Sequence, residues 1–241
     1  MIFVIINQKR RTIEIKGDKM IMILFLANIY LVDQPDLYVP GHGVYGMQLR
    51  FGPTGEILAN AHLGLFNRLS LGLSYGASNL IGSGNPDFYT QPGIQARLMA
   101  VEQSDYFPAV IIGFDNQGYG PYDHRYLIMS KGIYSQVGKI FEYPGLSISS
   151  NLGLNYCFES NGRFDMFAGL KFQFGVSTQV MVEYSPNFND DMDENKGYLN
   201  IGFNYIFYED VFFQFALRDL LENFPGMQLN RSIKFGFYQS F

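Results

Sequence analysis

The chain has 241 residues, a formal net charge of −5 at pH 7 and a sequence pI of about 5.2. This acidic balance argues against a nucleic-acid partner, because such proteins collect Lys and Arg on the face that meets the phosphates. The single cysteine, Cys157, excludes an internal disulfide framework and a multi-cysteine metal site. Charged residues form only 16% of the chain, below the roughly 25% of an average soluble protein, although the hydrophobic fraction of 47% is ordinary.

The N-terminal region carries a short apolar run, Met20–Leu31, which Lys16 and Lys19 precede. Basic residues followed by an apolar stretch are the order found in a secretory signal. The run is too short to cross a bilayer as a helix, which needs roughly 20 apolar residues. A core or membrane-embedded helix is the alternative interpretation. We expect residues 1–35 to be a signal-like segment and residues 36–241 to form one domain.

From Val44 onward, apolar and polar residues alternate with the period of two that indicates β-strands. In Tyr198–Phe207, for example, Leu199, Ile201 and Phe203 share one face, while Asn200, Gly202 and Asn204 share the other. Such segments predict about twelve strands of roughly the length that crosses a bilayer at a tilt. They lie near 43–51, 55–66, 68–77, 92–102, 106–116, 123–134, 145–157, 163–174, 176–186, 196–208, 210–219 and 231–241.

The predicted connections alternate between short and long, which is typical of an outer-membrane β-barrel. The short ones fall at 66–68, 103–105, 174–175 and 208–210, and the long ones at 77–91, 116–122, 186–195 and 220–230. Two depart from the rule, since 52–54 is short where a long loop is expected and 135–145 is the reverse. This pattern predicts both termini in the periplasm and the longer loops outside the cell.

Charged residues and a histidine recur on the polar face of the predicted strands. They are Arg50, Glu56, His62, Arg97, Asp115, Arg125, Lys131, Asp165, Lys171, Glu183 and Arg218. A barrel with an apolar outer surface and a polar lumen accommodates both faces, whereas a soluble β-sandwich is the alternative. Unpaired charges in a dry lumen would cost several kcal/mol each, so these groups either line a water-filled channel or pair with one another.

The last predicted strand, Arg231–Phe241, carries alternating apolar residues and ends on an aromatic one. The residues in register are Ile233, Phe235, Phe237 and Phe241. This end resembles the last strand of bacterial outer-membrane proteins, which the barrel-assembly machinery reads. The resemblance implies a bacterial outer-membrane location, with outer-membrane lipid and that machinery as partners.

A more specific resemblance covers Tyr106–Gly120, Arg125–Lys131 and the Gly-rich strand Asn151–Tyr156. These segments resemble the barrel of YjbH-type outer-membrane proteins, with matching positions at Pro108, Gly113, Asp115, Gly118, Tyr126, Ser130 and Lys131. That family is associated with exopolysaccharide export, so the resemblance implies a link to envelope polysaccharide.

Few residues suggest catalysis or metal binding. His62 would need to face lipid beside a Ser or Asn to act as in an outer-membrane phospholipase, but its neighbours Ala61 and Leu63 claim the lipid face. His42 and His124 are scattered, and the acidic run at 190–194 has oxygen ligands for Ca²⁺ without matching an EF-hand loop. We therefore expect no catalytic residue, no metal site and no cofactor.

Together these patterns predict an all-β fold, an antiparallel transmembrane β-barrel of about twelve strands. The leading functional hypothesis is a non-enzymatic outer-membrane protein linked to envelope or exopolysaccharide export. The alternatives are a porin-like channel for small solutes or ions and a lipid-modifying enzyme.

Overall fold

The computed structural model describes residues 29–53, 55–116, 131–158, 163–186, 188, 196–207, 210–222 and 230–241. These residues form thirteen strands. In chain order they are β1 Val44–Phe51, β2 Ile57–Leu65, β3 Leu69–Ser78, β4 Asp87–Phe88, β5 Gly93–Val101, β6 Ala109–Asp115, β7 Gly132–Tyr143, β8 Leu146–Cys157, β9 Arg163–Phe174, β10 Thr178–Ser185, β11 Tyr198–Phe207, β12 Val211–Leu217 and β13 Arg231–Ser240.

All of these strands except β4 join in one closed antiparallel ring. Each strand pairs with the next along the chain, β3 pairs with β5, and β1 pairs with β13 to close the ring. The closing register joins Val44 to Ser240 and Phe51 to Ile233. The short strand β4 pairs only with the end of β3, outside the ring. The expected fold class, an all-β antiparallel barrel of about twelve strands, is confirmed, and the ring leaves no unpaired strand edge.

The two faces of the barrel have the polarity expected from the alternation. Large apolar side chains point outward and are exposed around the ring, among them Met47, Leu73, Ile94, Ile112, Ile133, Leu152, Leu170, Phe203, Phe215 and Phe235. Most charged and amide side chains of the strands point inward and are buried. A soluble β-sandwich would bury its apolar face and expose its polar one, so the β-sandwich alternative is wrong. No described helix is long and apolar enough to cross a membrane.

The strands are connected differently at the two ends of the barrel. At one end, here the short-loop end, the connections span 66–68, 102–108, 144–145, 175–177 and 208–210. At the other, the long-loop end, they span 52–56, 79–92, 116–131, 158–162, 186–197 and 218–230. The predicted long connection at 135–145 is wrong, because most of it is strand β7 and the turn lies at 144–145. Ser135 and Lys139 lie on the outward side of that strand, which obscured its apolar face in the sequence.

Aromatic rings inside the barrel lie over glycines on the neighbouring strand. Tyr134 faces Gly113, Phe167 faces Gly153, Phe212 faces Gly236 and Tyr238 faces Gly46, and each pair is a direct cross-strand partner. A β-carbon added at Gly46 would lie 2.6 Å from the Tyr238 ring, and added β-carbons at the other three glycines would overlap their rings as well. The missing side chain therefore makes room for an aromatic ring to lie flat against the wall.

We expect Gly153→Val to destabilise the barrel by about 1–3 kcal/mol, because the new side chain would force the Phe167 ring out of its position. The measurement is the urea midpoint for loss of the folded band of the detergent-refolded protein on unboiled gels. Ala59→Val is the matched control, since Ala59 is exposed on the outer surface. Equal midpoints for the two variants would show that packing of the Phe167 side chain does not depend on a glycine at position 153.

Candidate functional site

The lumen is occupied by part of the chain itself. Residues 29–39, here called the lumen segment, lie inside the ring, and all of them except Tyr38 are buried. The segment is a tight hairpin in which the Leu31 N–H donates to the Gln34 carbonyl at 2.9 Å, and the Asp36 N–H donates to the Ile29 carbonyl at 3.0 Å. Residues 29–35, which the sequence analysis assigned to the signal-like region, therefore lie within the barrel as described here.

The tip of the hairpin is held by an ion-pair cluster near the long-loop end. The Asp33 carboxylate lies 2.6 Å from a guanidinium nitrogen of Arg50 on β1 and 2.7 Å from Nε of Arg218, which follows β12. Both side chains and the carboxylate are almost fully buried. One carboxylate thus joins two arginines that belong to different strands of the wall, and buried pairs of this kind are strong only when each charge is matched.

A second carboxylate, from the wall, holds the backbone of the same tip. Glu183 on β10 accepts the backbone N–H groups of Val32, Asp33 and Gln34, with distances of 2.9 to 3.1 Å. Successive N–H groups that converge in this way form a small anion-binding nest. Asn200 on β11 also donates to Glu183 at 2.7 Å. The tip therefore pairs its own carboxylate, that of Asp33, with arginines of the wall, and its backbone binds the carboxylate of Glu183 from the wall.

The carbonyl groups of the lumen segment accept hydrogen bonds from wall side chains on several strands. The donors are Lys234 to Val32, Gln214 to Leu31, Arg97 to Ile29, Asn151 to Pro35 and Gln136 to Asp36. A hairpin inside a barrel cannot use sheet partners for these carbonyls, so long polar side chains satisfy them instead. The inward amide and basic residues thus act as the hydrogen-bonding partners of the segment.

The base of the hairpin is held by separate charged contacts. Asp36 forms an ion pair with Lys171 on β9. The Tyr30 hydroxyl donates to the Asp115 carboxylate at 2.7 Å, and the Arg97 guanidinium lies over the Tyr30 ring, 4.5 Å from its centre. Both the tip and the base of the segment are therefore held by contacts with charged side chains of the wall.

Glycines in the wall receive the apolar side chains of the segment. Added β-carbons would lie 2.5 Å from the Leu37 side chain at Gly138 and 2.8 Å from Val32 at Gly202, and one at Gly169 would overlap Leu31. These three glycines face inward on β7, β9 and β11. The shape of the wall therefore matches the segment as closely as its charges do.

Ten of the predicted lumen residues are buried inside the barrel, and Arg125 lies outside the described residues. Six of them contact the lumen segment directly, namely Arg50, Arg97, Asp115, Lys171, Glu183 and Arg218. Glu56 instead accepts a hydrogen bond from Tyr89 at 2.8 Å, Asp165 accepts one from Ser185, and Lys131 lies over the Phe167 ring. Burial raises the pKa of the Tyr89 hydroxyl, and the Glu56 charge acts in the same direction, so the hydroxyl stays a donor.

His62 is buried inside the barrel against the ring of Tyr238, with ring centres 5.3 Å apart. It does not face lipid, so the lipid-facing triad of the enzyme alternative does not form around it. Among the residues that the structure describes, no group of acidic, His or Cys side chains could hold a metal ion. The acidic run at 190–194 and His124 lie outside the described residues.

The predicted assembly residues lie on the outer surface at the end of the chain. Phe235 and Phe241 are exposed, and Ile233 and Phe237 are half-buried. Several residues that hold the segment were not predicted from the sequence, namely Asp33, Asp36, Asn200, Gln214, Gln136 and Lys234. Lys234 could have been found from its place between Ile233 and Phe235, because a Lys in the middle of an apolar strand has to point inward.

No protein-family model and no curated protein matches the chain. Solved structures similar to it include the KdgM porin, with 8% identity, a TM-score of 0.47 and coverage of 82% of this chain and 99% of that one. Omp33 of Acinetobacter baumannii gives 9% identity, a TM-score of 0.46 and coverage of 83% and 98%. A mutant porin of Rh. blastica gives 16% identity, a TM-score of 0.33 and coverage of 77% of this chain and 55% of that one. Similarity this low carries no functional information, so function is inferred from this chain's own residues.

We expect a disulfide to form between Val32→Cys and Gly202→Cys in a Cys157→Ser background, because the two side chains would be in contact across the lumen. The measurement is mass spectrometry of the cross-linked peptides after refolding without reductant. Val32→Cys with Phe203→Cys is the matched control, since Phe203 is the next residue along β11 and points outward. Cross-linking of both pairs, or of neither, would contradict the position of the segment.

Proposed function

We propose that this chain is a non-enzymatic β-barrel protein of the bacterial outer membrane, which its twelve strands span. The supporting observation is the continuous exposed apolar surface around a closed ring with a polar interior. Lipid is the environment in which such a surface is stable, and closure removes the unpaired strand edges that lipid does not tolerate. Outer-membrane lipid is then the partner of the outer surface.

The same proposal gives a role to the last strand. Exposed Phe235 and Phe241, with Ile233 and Phe237 beside them, are available to the barrel-assembly machinery before β13 pairs with β1. The likeness to YjbH-type proteins, and the polysaccharide link that it implies, stay predictions.

We further propose that the protein is a gated small-solute channel which the lumen segment closes. The observation that carries this proposal is that the segment is separate from the strands of the wall and fits them through polar contacts and three glycine recesses. A barrel filled for stability alone needs only larger wall side chains, which the wall lacks at Gly138, Gly169 and Gly202. When the segment leaves, a polar passage lined by charged and amide groups is exposed.

The membrane assignment predicts that the detergent-refolded protein migrates faster on gels before boiling than after, since a closed barrel resists unfolding by detergent. Far-UV circular dichroism of the same sample should show β-structure. A water-soluble monomer without this change in migration would contradict the assignment.

The channel proposal predicts that Gly169→Leu raises the conductance of planar bilayers, because the new side chain occupies the space of Leu31 and expels the segment. The unchanged chain should conduct little. Ala168→Leu is the matched control, since Ala168 precedes Gly169 on the other face of β9.

The cross-linked Val32→Cys/Gly202→Cys protein gives a second measurement on one folded sample. It should stay closed while oxidised, and brief openings should appear after reduction. Large currents through the unchanged chain, or equal currents from Gly169→Leu and Ala168→Leu, would show that the segment does not close the lumen.

A further inference from the structure

The tip of the lumen segment is bound as a small ligand would be. Asp33 places one carboxylate between the Arg50 and Arg218 guanidinium groups, each at ion-pair distance, in a buried site. Guanidinium groups are suited to planar recognition of carboxylates. The two arginines belong to the wall, whereas the carboxylate belongs to the segment that the channel proposal treats as movable.

Apart from Asp33, the charged groups around this site carry a net positive charge. Lys234 reaches the same tip through the Val32 carbonyl, so three basic side chains surround it. Two other carboxylates lie nearby. Glu183 accepts hydrogen bonds from the backbone of the tip. Glu56 attracts Arg50 electrostatically and also accepts a hydrogen bond from the Tyr89 hydroxyl. Without Asp33, basic groups would outnumber carboxylates by three to two, and two guanidinium groups would lose the carboxylate they share.

The site also lies where an external solute would reach it first. Arg50 is the next-to-last residue of β1, and Arg218 directly follows β12, so both lie at the long-loop end. In the proposed orientation this end faces the outside of the cell. A solute entering from that side meets the tip of the hairpin before its base at Asp36 and Lys171.

We propose that this tip site binds small polycarboxylates from outside and that their binding opens the lumen by displacing Asp33. The proposal rests on the proposed channel function and names its ligand class. A competitor must supply negative charge for Arg50 and Arg218, which excludes neutral sugars. A second carboxylate is favoured because Lys234 is released from the Val32 carbonyl when the tip leaves. Ligand and Asp33 compete for one site, so binding shifts the population of the segment.

The test follows the tip itself rather than current. Val32→Cys in a Cys157→Ser background is refolded as the full chain in detergent, and its rate of labelling by a charged maleimide is measured. Val32 is fully buried, so labelling should be slow. Citrate should speed it by about tenfold or more, because labelling reports the displaced population. Sucrose, and sodium chloride at equal ionic strength, should leave the rate unchanged, and sulfate separates carboxylate recognition from general anion binding.

Variants at the site give opposite changes in the citrate response. Asp33→Asn removes the competing charge, so it should lower the citrate concentration for half-maximal labelling. Arg218→Gln and Arg50→Gln should raise that concentration, even though they also loosen the segment and speed labelling without citrate. Arg68→Gln is the matched control, because Arg68 is exposed at the short-loop end and pairs with Glu102, and it should leave the response unchanged.

The outcomes separate this inference from the channel proposal. If Gly169→Leu opens a current but citrate leaves labelling unchanged, or acts no better than chloride, the inference is overturned and the channel stands. If sulfate equals citrate, the site is a general anion site and the assignment to carboxylates is wrong. If citrate speeds labelling in the absence of any current, citrate binding with displacement of Asp33 stands, whereas opening of the lumen is overturned together with the channel proposal.

Discussion

The interior of this barrel depends on the carboxylate of Asp33. Arg50 on β1 and Arg218, which directly follows β12, point into the same part of the lumen, and only β13 separates these two strands in the ring. Two guanidinium groups buried side by side repel each other, and removing the partner of a buried charge typically costs about 3–5 kcal/mol. Asp33, which belongs to the lumen segment and not to a strand, therefore balances the charge of two arginines of the wall.

Shape and charge in the lumen lead to the same arrangement. Seven of the inward glycines fall into two sets: four are covered by an aromatic ring of the neighbouring strand, and three receive Leu31, Val32 or Leu37 of the lumen segment. The first set closes gaps within the wall, and the second leaves recesses that the segment enters. Polar side chains of the wall then satisfy several backbone N–H and carbonyl groups of the hairpin.

The fold could be predicted from the sequence because one period governs most of the chain. Alternation in segments such as Tyr198–Phe207 follows directly from a wall with an apolar outer surface on one side and polar groups on the other. It failed at β7, where Ser135 and Lys139 lie on the outward side and weaken the contrast between the faces.

The site was only half predictable for a related reason. Inward charges such as Arg97 and Glu183 stand out in apolar strands, because a charge there has to face the lumen. Asp33 and Asp36 follow an apolar run outside any strand, and local pattern alone ties them to a signal-like segment. Their ion-pair partners lie between 17 and 185 residues away along the chain, so no local pattern reveals these contacts.

The hairpin form of the lumen segment bears on the order of assembly. Its turn points toward the long-loop end, and residues 36–43 lead from its base to the start of β1 at the short-loop end. The described hairpin can therefore enter the ring turn first, from the short-loop end. The wall can close first and take up the folded-back segment afterwards as a unit, and the short connection at Pro40 and Gly41 keeps it at high local concentration beside the opening.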